Sequence, residues 1–152
     1  MTAPSRQRGL TLVEMLLVIA LVGVLGTLAA HAWGGYQDRV RTATAVADIT
    51  EMSLLIDDFV ADQGRLPANL GEVGRSGRLD PWGNAYVYLD LTGTRSRGQA
   101  RKDRSLVPLN SDYDLYSKGP DGASQAPLTA KASQDDILRA SNGRFIGPAS
   151  AF

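Results

Sequence analysis

Polar and apolar positions along the chain fall into three regimes. From Leu10 to Trp33, 24 residues, the side chains are apolar apart from Thr11, Glu14, Thr27 and His31, with Gly23 and Gly26 as weak points. As a helix rising roughly 1.5 Å per residue this stretch is about 36 Å long, enough to cross a hydrocarbon core of about 30 Å. Beyond Trp33, a residue type suited to the interface, Gly34-Gly35 is a place where the helix could loosen. A helical period then returns: Val46, Ile49, Met52, Ile56, Phe59 and Val60 recur at three- and four-residue spacing. Asp48, Glu51, Asp57, Asp58 and Asp62 occupy mostly other positions, so this second half is amphipathic and needs a partner surface. Gly64 suits a left-handed cap and Pro67 cannot continue the helix.

The third regime has period two. Asp80-Pro81-Trp82-Gly83-Asn84 supplies a turn, and Tyr86 to Leu89 favour a pleated surface with Trp82 anchored in the core below. Asp112 to Ser117 alternates as a second strand and Lys118 to Gly122 turns again. Residues 68–79 read as a loop or short helix, and Asn142 to Pro148 as a turn followed by a short apolar stretch whose Phe145 and Ile146 pack on the head. The fold class is α+β: one long helix from about Leu10 to Gln63, transmembrane in its first half and amphipathic in its second, packed on a small antiparallel sheet with a loop-rich C-terminus.

Glu14 needs an explanation, because a carboxylate in apolar surroundings costs several kcal/mol unless it neutralises or meets a cation. A cut after Gly9 would free the α-amine of Leu10 about a turn of helix away, and a neighbouring subunit's amine would serve as well. Otherwise Glu14 lies close enough to the membrane surface to stay hydrated.

Composition narrows the chemistry. There is one histidine, His31, and no cysteine, which removes disulfides, thiolate metal sites and His/Cys nucleophile systems and makes a Ser-His-Asp set implausible. Phosphate-loop and dinucleotide fingerprints are absent, so the chain is not read as an enzyme. Losing Arg6 and Arg8 with a leader removes two of 16 basic residues and none of 16 acidic ones, for a mature charge of about −2. A basic run, Arg95, Arg97, Arg101, Lys102 and Arg104 against Asp103, lacks aromatics for stacking on single strands. It reads as a solvated insertion or a patch for acidic residues of another subunit; nucleic acid is not expected as a partner.

Gly9 followed by Leu-Thr-Leu-Val-Glu and the apolar run, behind a short basic leader, resembles the type III signal of type IV pilins and type II secretion pseudopilins. Asp62 to Pro67 resembles the corresponding corner of pseudopilins, and two further stretches, Asp80 to Asn84 and Asp112 to Ser117 with its glycine-rich turn, resemble the G-type major pseudopilin in particular. The resemblance implies cleavage between Gly9 and Leu10 by a prepilin peptidase, N-methylation of Leu10, and Glu14 pairing with an adjacent subunit's N-terminus. It implies a leader at 1–9, a transmembrane assembly helix at 10–33 and an extracytoplasmic head at 34–152 that includes the second half of the helix. The chain departs from the family at Leu10, where phenylalanine is commonest, and at His31, where many members have proline.

The same resemblance implies a Ca2+ site, with Asp121, Ser124, Asp135 and Asp136 as side-chain candidates and the backbone carbonyl of Lys118 as a further ligand. Residues 122–132 lack the family's glycine-rich spacing and carry Pro127. Without a metal, Asp135 or Asp136 would cap a short helix at Ile137 to Ala140 or remain a hydrated acid.

The implied function is that of a structural subunit of a type II secretion pseudopilus. It would sit in the bacterial inner membrane as a single-pass protein with its head in the periplasm. Its partners would be copies of itself, minor pseudopilins, the peptidase and the inner-membrane assembly platform. The alternatives are a major or minor type IV pilus subunit in an extracellular filament, serving adhesion, motility or DNA uptake, and an anchored calcium-binding module that does not polymerise. An ordinary secretory signal cut near Ala30-His31-Ala32 competes for the N-terminus, but its apolar stretch would be unusually long. Mass spectrometry of the mature chain is expected to find Leu10 first, with a methylated amine; a start near Trp33 would instead mark an ordinary secreted protein.

Overall fold

The computed structural model describes residues 11–93, 98–104 and 107–152. The chain divides into two compact units, the first ending at Arg39 and the second beginning at Val40, and helix α1, Leu12–Gln63, runs through the division. The helix continues unbroken across Gly34 and Gly35, so the loosening expected there does not interrupt it.

In the first unit the apolar side chains are exposed on every side of the helix, Leu12, Leu17, Ile19, Val22 and Leu25 among them. An 18-residue window has a mean hydropathy of 2.5 and none of it is buried. Backbone groups bonded within the helix leave only apolar surface outside, which is what a hydrocarbon solvent requires.

The second unit packs the rest of α1 on a four-stranded antiparallel sheet. Its strands are β1 (Val87–Asp90), β4 (Tyr113–Ser117), β5 (Ile137–Ala140) and β6 (Phe145–Pro148), in spatial order β1-β4-β5-β6. β2 (Lys102–Asp103) and β3 (Val107–Pro108) form a separate ribbon. Ala45, Ile49, Met52 and Ile56 are the helix's buried apolar stripe, each about one turn after the last, and they cluster with Tyr86, Tyr113, Leu115 and Ile137. The stripe therefore begins at Ala45 rather than Val46, which with Val60 only flanks it.

Adjacent residues of a strand face opposite ways. Ile137 accordingly joins the helix-side core, while Leu138 joins a second cluster with Leu109, Leu128, Ala140 and Ala149. That second layer is built from the segments expected to be irregular. Ile137 to Ala140 is an inner strand between β4 and β6, not a capped helix, and all four of its residues are buried.

Two buried carboxylates fix the helix and the first turn. Asp48, expected on the polar face of α1, is only 8% exposed; it accepts from Tyr86 Oη at 2.8 Å and pairs with Arg78 Nη2 at 2.6 Å. Asp80 accepts from the backbone amides of Trp82 and Asn84 at 3.0 and 2.8 Å and from Ser117 Oγ at 2.5 Å, tying the Asp-Pro-Trp-Gly-Asn turn to the end of β4. Asn84 Nδ2 continues the link to the Gly119 carbonyl at 2.9 Å. Gly64, at φ +67°, closes the helix through its amide to the Val60 carbonyl, as its sequence position suggests.

Ile49→Ala should cost about 2–5 kcal/mol, the usual toll for truncating a fully buried aliphatic side chain, whereas Leu54→Ala, at an exposed position, should stay within about 0.5 kcal/mol. Near-UV circular dichroism of the detergent-solubilised protein would follow both. Burial, foremost, and the Asp48 carboxylate push the Tyr86 phenol above the usual tyrosine value of 10.0. A raised folded-state value means that its stabilisation is intact below pH 10.0 and is lost as pH rises past it, so the melting temperature should drop on alkaline titration.

Candidate functional site

Two regions carry the residues singled out in the sequence. The first is the start of α1. Gly9 and Leu10 lie outside the described residues. Thr11 and Glu14 form a reciprocal cap: the Thr11 amide and hydroxyl donate to Glu14 Oε2 at 2.8 and 2.9 Å, and the Glu14 amide donates to Thr11 Oγ1 at 3.3 Å. This is a Ser/Thr-x-x-Glu capping box, which offsets donors that the first helical turn leaves unpaired. The signal was present in Thr11-Leu-Val-Glu14, and it explains the position of Glu14 within one chain without reference to a partner. Both residues are exposed, and the carboxylate stands at the N-terminal end of the apolar surface.

The second region is the stretch from Lys118 to Ile137, in the head. Lys118 follows β4, and Gly119 (φ +64°) brings the chain so close to the next acidic segment that a Cβ there would meet the Asp135 carbonyl at 2.3 Å. Asp121 and Asp135 are brought together, but each engages a backbone amide: Asp135 Oδ2 accepts from the Asp121 amide at 3.3 Å and Asp121 Oδ1 from the Ala123 amide at 2.8 Å. Ser133 Oγ bonds both the amide and the carbonyl of Gln125 at 2.8 Å, pinning the two arms of the loop to each other.

Ser124 and Asp136 belong to a different group of side chains. Arg101 reaches both: Nη1 donates to Ser124 Oγ, and Nη2 pairs with Asp136 Oδ2 at 2.5 Å. Ser124 Oγ also donates to the same carboxylate oxygen at 2.7 Å. The guanidinium lies over the Tyr116 ring, 4.4 Å from its centroid, and the Arg101 and Asp136 side chains are 4% and 0% exposed. Burial raises the Asp136 carboxyl above its usual range, with the Ser124 bond and the Arg101 charge pulling the other way. The Arg101 amide donates to Asp114 Oδ2 at 2.7 Å, and Asn110 Nδ2 donates to Asp114 Oδ1 at 2.9 Å.

The backbone of the next residue completes the attachment. The Lys102 amide bonds the Ala126 carbonyl at 2.9 Å and its carbonyl accepts from the Leu128 amide at 3.0 Å, on either side of Pro127. Arg101 and Lys102 were expected on a solvated basic surface; Arg101 is 3% exposed, because a cation over an aromatic ring and beside a carboxylate need not be in water. Arg95 and Arg97 lie outside the described residues.

The calcium expectation meets this arrangement poorly. Ca2+ takes six to eight oxygens, several of them carboxylate. Among the described residues no group of three or more acidic or histidine side chains converges on one point. Asp135 Oδ1 and Asp136 Oδ1 are buried without a hydrogen-bond partner, but two free carboxylate oxygens fall short of the several that a calcium shell draws on. A dication at Asp136 would also face the Arg101 guanidinium across the same carboxylate. The residues as placed do not fit the ion.

A single exposed apolar helix with a capped carboxylate at its start, continuing into a small α+β head, is the architecture of the type IV pilin-like class. Residues 4–30 match the prokaryotic N-terminal methylation motif, which spans both Gly9 and Glu14. The chain is 31% identical over 143 residues to the type II secretion system core protein G of Escherichia coli (strain K12), covering 80% of this chain and 88% of that protein. It is 31% identical over 137 residues to the core protein G of Xanthomonas campestris, covering 79% and 85%. A fimbrial protein of Neisseria meningitidis is 25% identical over 150 residues, covering 92% and 88%. No solved structure matches the chain with statistical significance. The chain belongs to the type II secretion system core protein G family.

Proposed function

We propose that this protein is a structural subunit of a type II secretion pseudopilus, held in the inner membrane by α1 with its head in the periplasm and polymerising through the same helix. The observation that carries the reading is the exposed apolar surface of residues 12–28, interrupted by one carboxylate at its start. A lipid bilayer covers the apolar part while the subunit is a monomer; neighbouring helices cover it in a filament. In either setting Glu14 must be neutralised or paired. Once the chain is cut after Gly9, the methylated amine of Leu10 on an adjacent subunit provides the cation, and Glu14 exchanges its Thr11 cap for that amine.

The role is mechanical, and the partners are copies of the chain, minor pseudopilins, the prepilin peptidase and the assembly platform. The type IV pilus reading draws on the similarity to fimbrial proteins, which at 25% and 26% identity is weaker than the 31% shared with core protein G of Escherichia coli and Xanthomonas campestris. The Asp80 to Asn84 turn, with its buried carboxylate, also favours the secretion type.

Glu14→Ala is the discriminating experiment. The variant should insert in the membrane as well as wild type, since a charge has been removed from an apolar helix. Yet an amine left unpaired among apolar helices costs about 3 kcal/mol, so its recovery in sheared filaments, co-expressed with wild type, should fall by at least roughly tenfold. Unchanged incorporation would show that Glu14 caps its own helix and nothing more, and would leave an anchored protein that does not assemble through this residue.

A further inference from the structure

We infer that Arg101 is the resident cation of the C-terminal loop, so that this chain holds the loop with a guanidinium and needs no metal there. Two features left unexplained by the sequence, the basic run and the loop that lacks its expected glycines, meet in one contact. Arg101 joins Ser124 in the first arm of the loop to Asp136 at its end, two of the four side chains that the family resemblance assigned to calcium. A guanidinium suits this task because its donors form a fixed fork that engages two acceptors at once, and its flat face rests on Tyr116. Lys102 adds backbone bonds to Ala126 and Leu128, so the loop is attached to residues 101–102 by side chain and main chain together. Asp121, the first ligand expected of a metal site, is exposed and turned to its own loop amide at Ala123.

The arrangement also explains how Asp136 tolerates complete burial. A carboxylate without solvent requires a cation at contact distance, and Arg101 is that cation in the head. Assembly of the filament is not involved, so the inference stands or falls separately from the pseudopilus reading.

The test is done on the full mature chain in detergent, with calcium itself as the probe. The melting temperature of the wild-type head, read by near-UV circular dichroism, should be the same in chelator and in Ca2+ from micromolar to millimolar concentration. Arg101→Gln and Asp136→Asn should each speed hydrogen exchange of the loop amides at Gln125 and Leu128 by roughly tenfold or more. The double variant should be less damaging than the sum of the two, the signature of a direct charge pair. Arg101→Lys, which keeps the charge without the fork, should lie between wild type and Arg101→Gln. A wild-type melting temperature that climbs with Ca2+ overturns the inference without need of any variant, and so does strict additivity of the Arg101 and Asp136 substitutions.

Discussion

One continuous helix has to satisfy two solvents, and the rest of the structure follows from how it does so. In its first part the helix bonds its own backbone and exposes apolar side chains all round, a surface that hydrocarbon or other helices can cover but water cannot. In its second part only a narrow stripe is withdrawn from water: the apolar Ala45, Ile49, Met52 and Ile56, with Asp48 and Ser53 beside them. A single stripe cannot stabilise a helix by itself. The sheet is there to receive it, and Tyr86, Tyr113, Leu115 and Ile137 are the receiving side chains.

A head of this size has little apolar surface with which to fix its irregular parts, and it fixes them with buried polar contacts instead. Asp48 ties α1 to Arg78 and Tyr86; Asp80 ties the first turn to β4; Arg139, over the Tyr113 ring, is paired with Asp112 at 2.7 Å across the sheet. Burial alone would raise the Asp112 carboxyl, but the Arg139 guanidinium prevails and holds it below the usual range. Each of these contacts joins residues 27 or more positions apart. They specify which turn sits against which strand, a task that non-directional apolar packing performs poorly.

The helix, its end at Gly64, strands β1 and β4 and the turn before β1 were legible because periodicity and turn chemistry are local signals. The inner strand Ile137–Ala140 was not. Four residues are too few to establish a period, and a preceding pair of aspartates imitates a helix cap. Its identity depends on pairing with β4 and β6, which no window of sequence displays. Thr11-Leu-Val-Glu14 has the spacing of a capping box, but a carboxylate beside an apolar run points to function first and masks that local role. Asp48 and Arg101 were placed outside the core because charged residues usually are. What buries them is a partner distant in sequence, Tyr86 for one and Asp136 for the other, and charge type alone does not reveal a partner.

The exchange of a metal for an arginine has a thermodynamic consequence. A loop closed by a bound ion gains RT ln(1 + [L]/Kd), so its order follows the concentration of the ion around it. A loop closed by Arg101 carries its cation covalently, and its closure is fixed when the chain folds. The cost lies in desolvating a guanidinium and a carboxylate, which attraction between them repays only with good geometry and further hydrogen bonds. Ser124 supplies such a hydrogen bond, the Tyr116 ring lies against the guanidinium face, and the Arg101 amide bonded to Asp114 holds the backbone from which the side chain reaches. Asp114 is itself pushed up by burial and is held in place by Asn110, whose amide also reaches the Arg139 carbonyl on β5. The loop, the ribbon and the inner strand are thus joined through one chain of buried polar groups, and removing the central cation would leave the buried Asp136 carboxyl without a counter-charge, held by Ser124 alone.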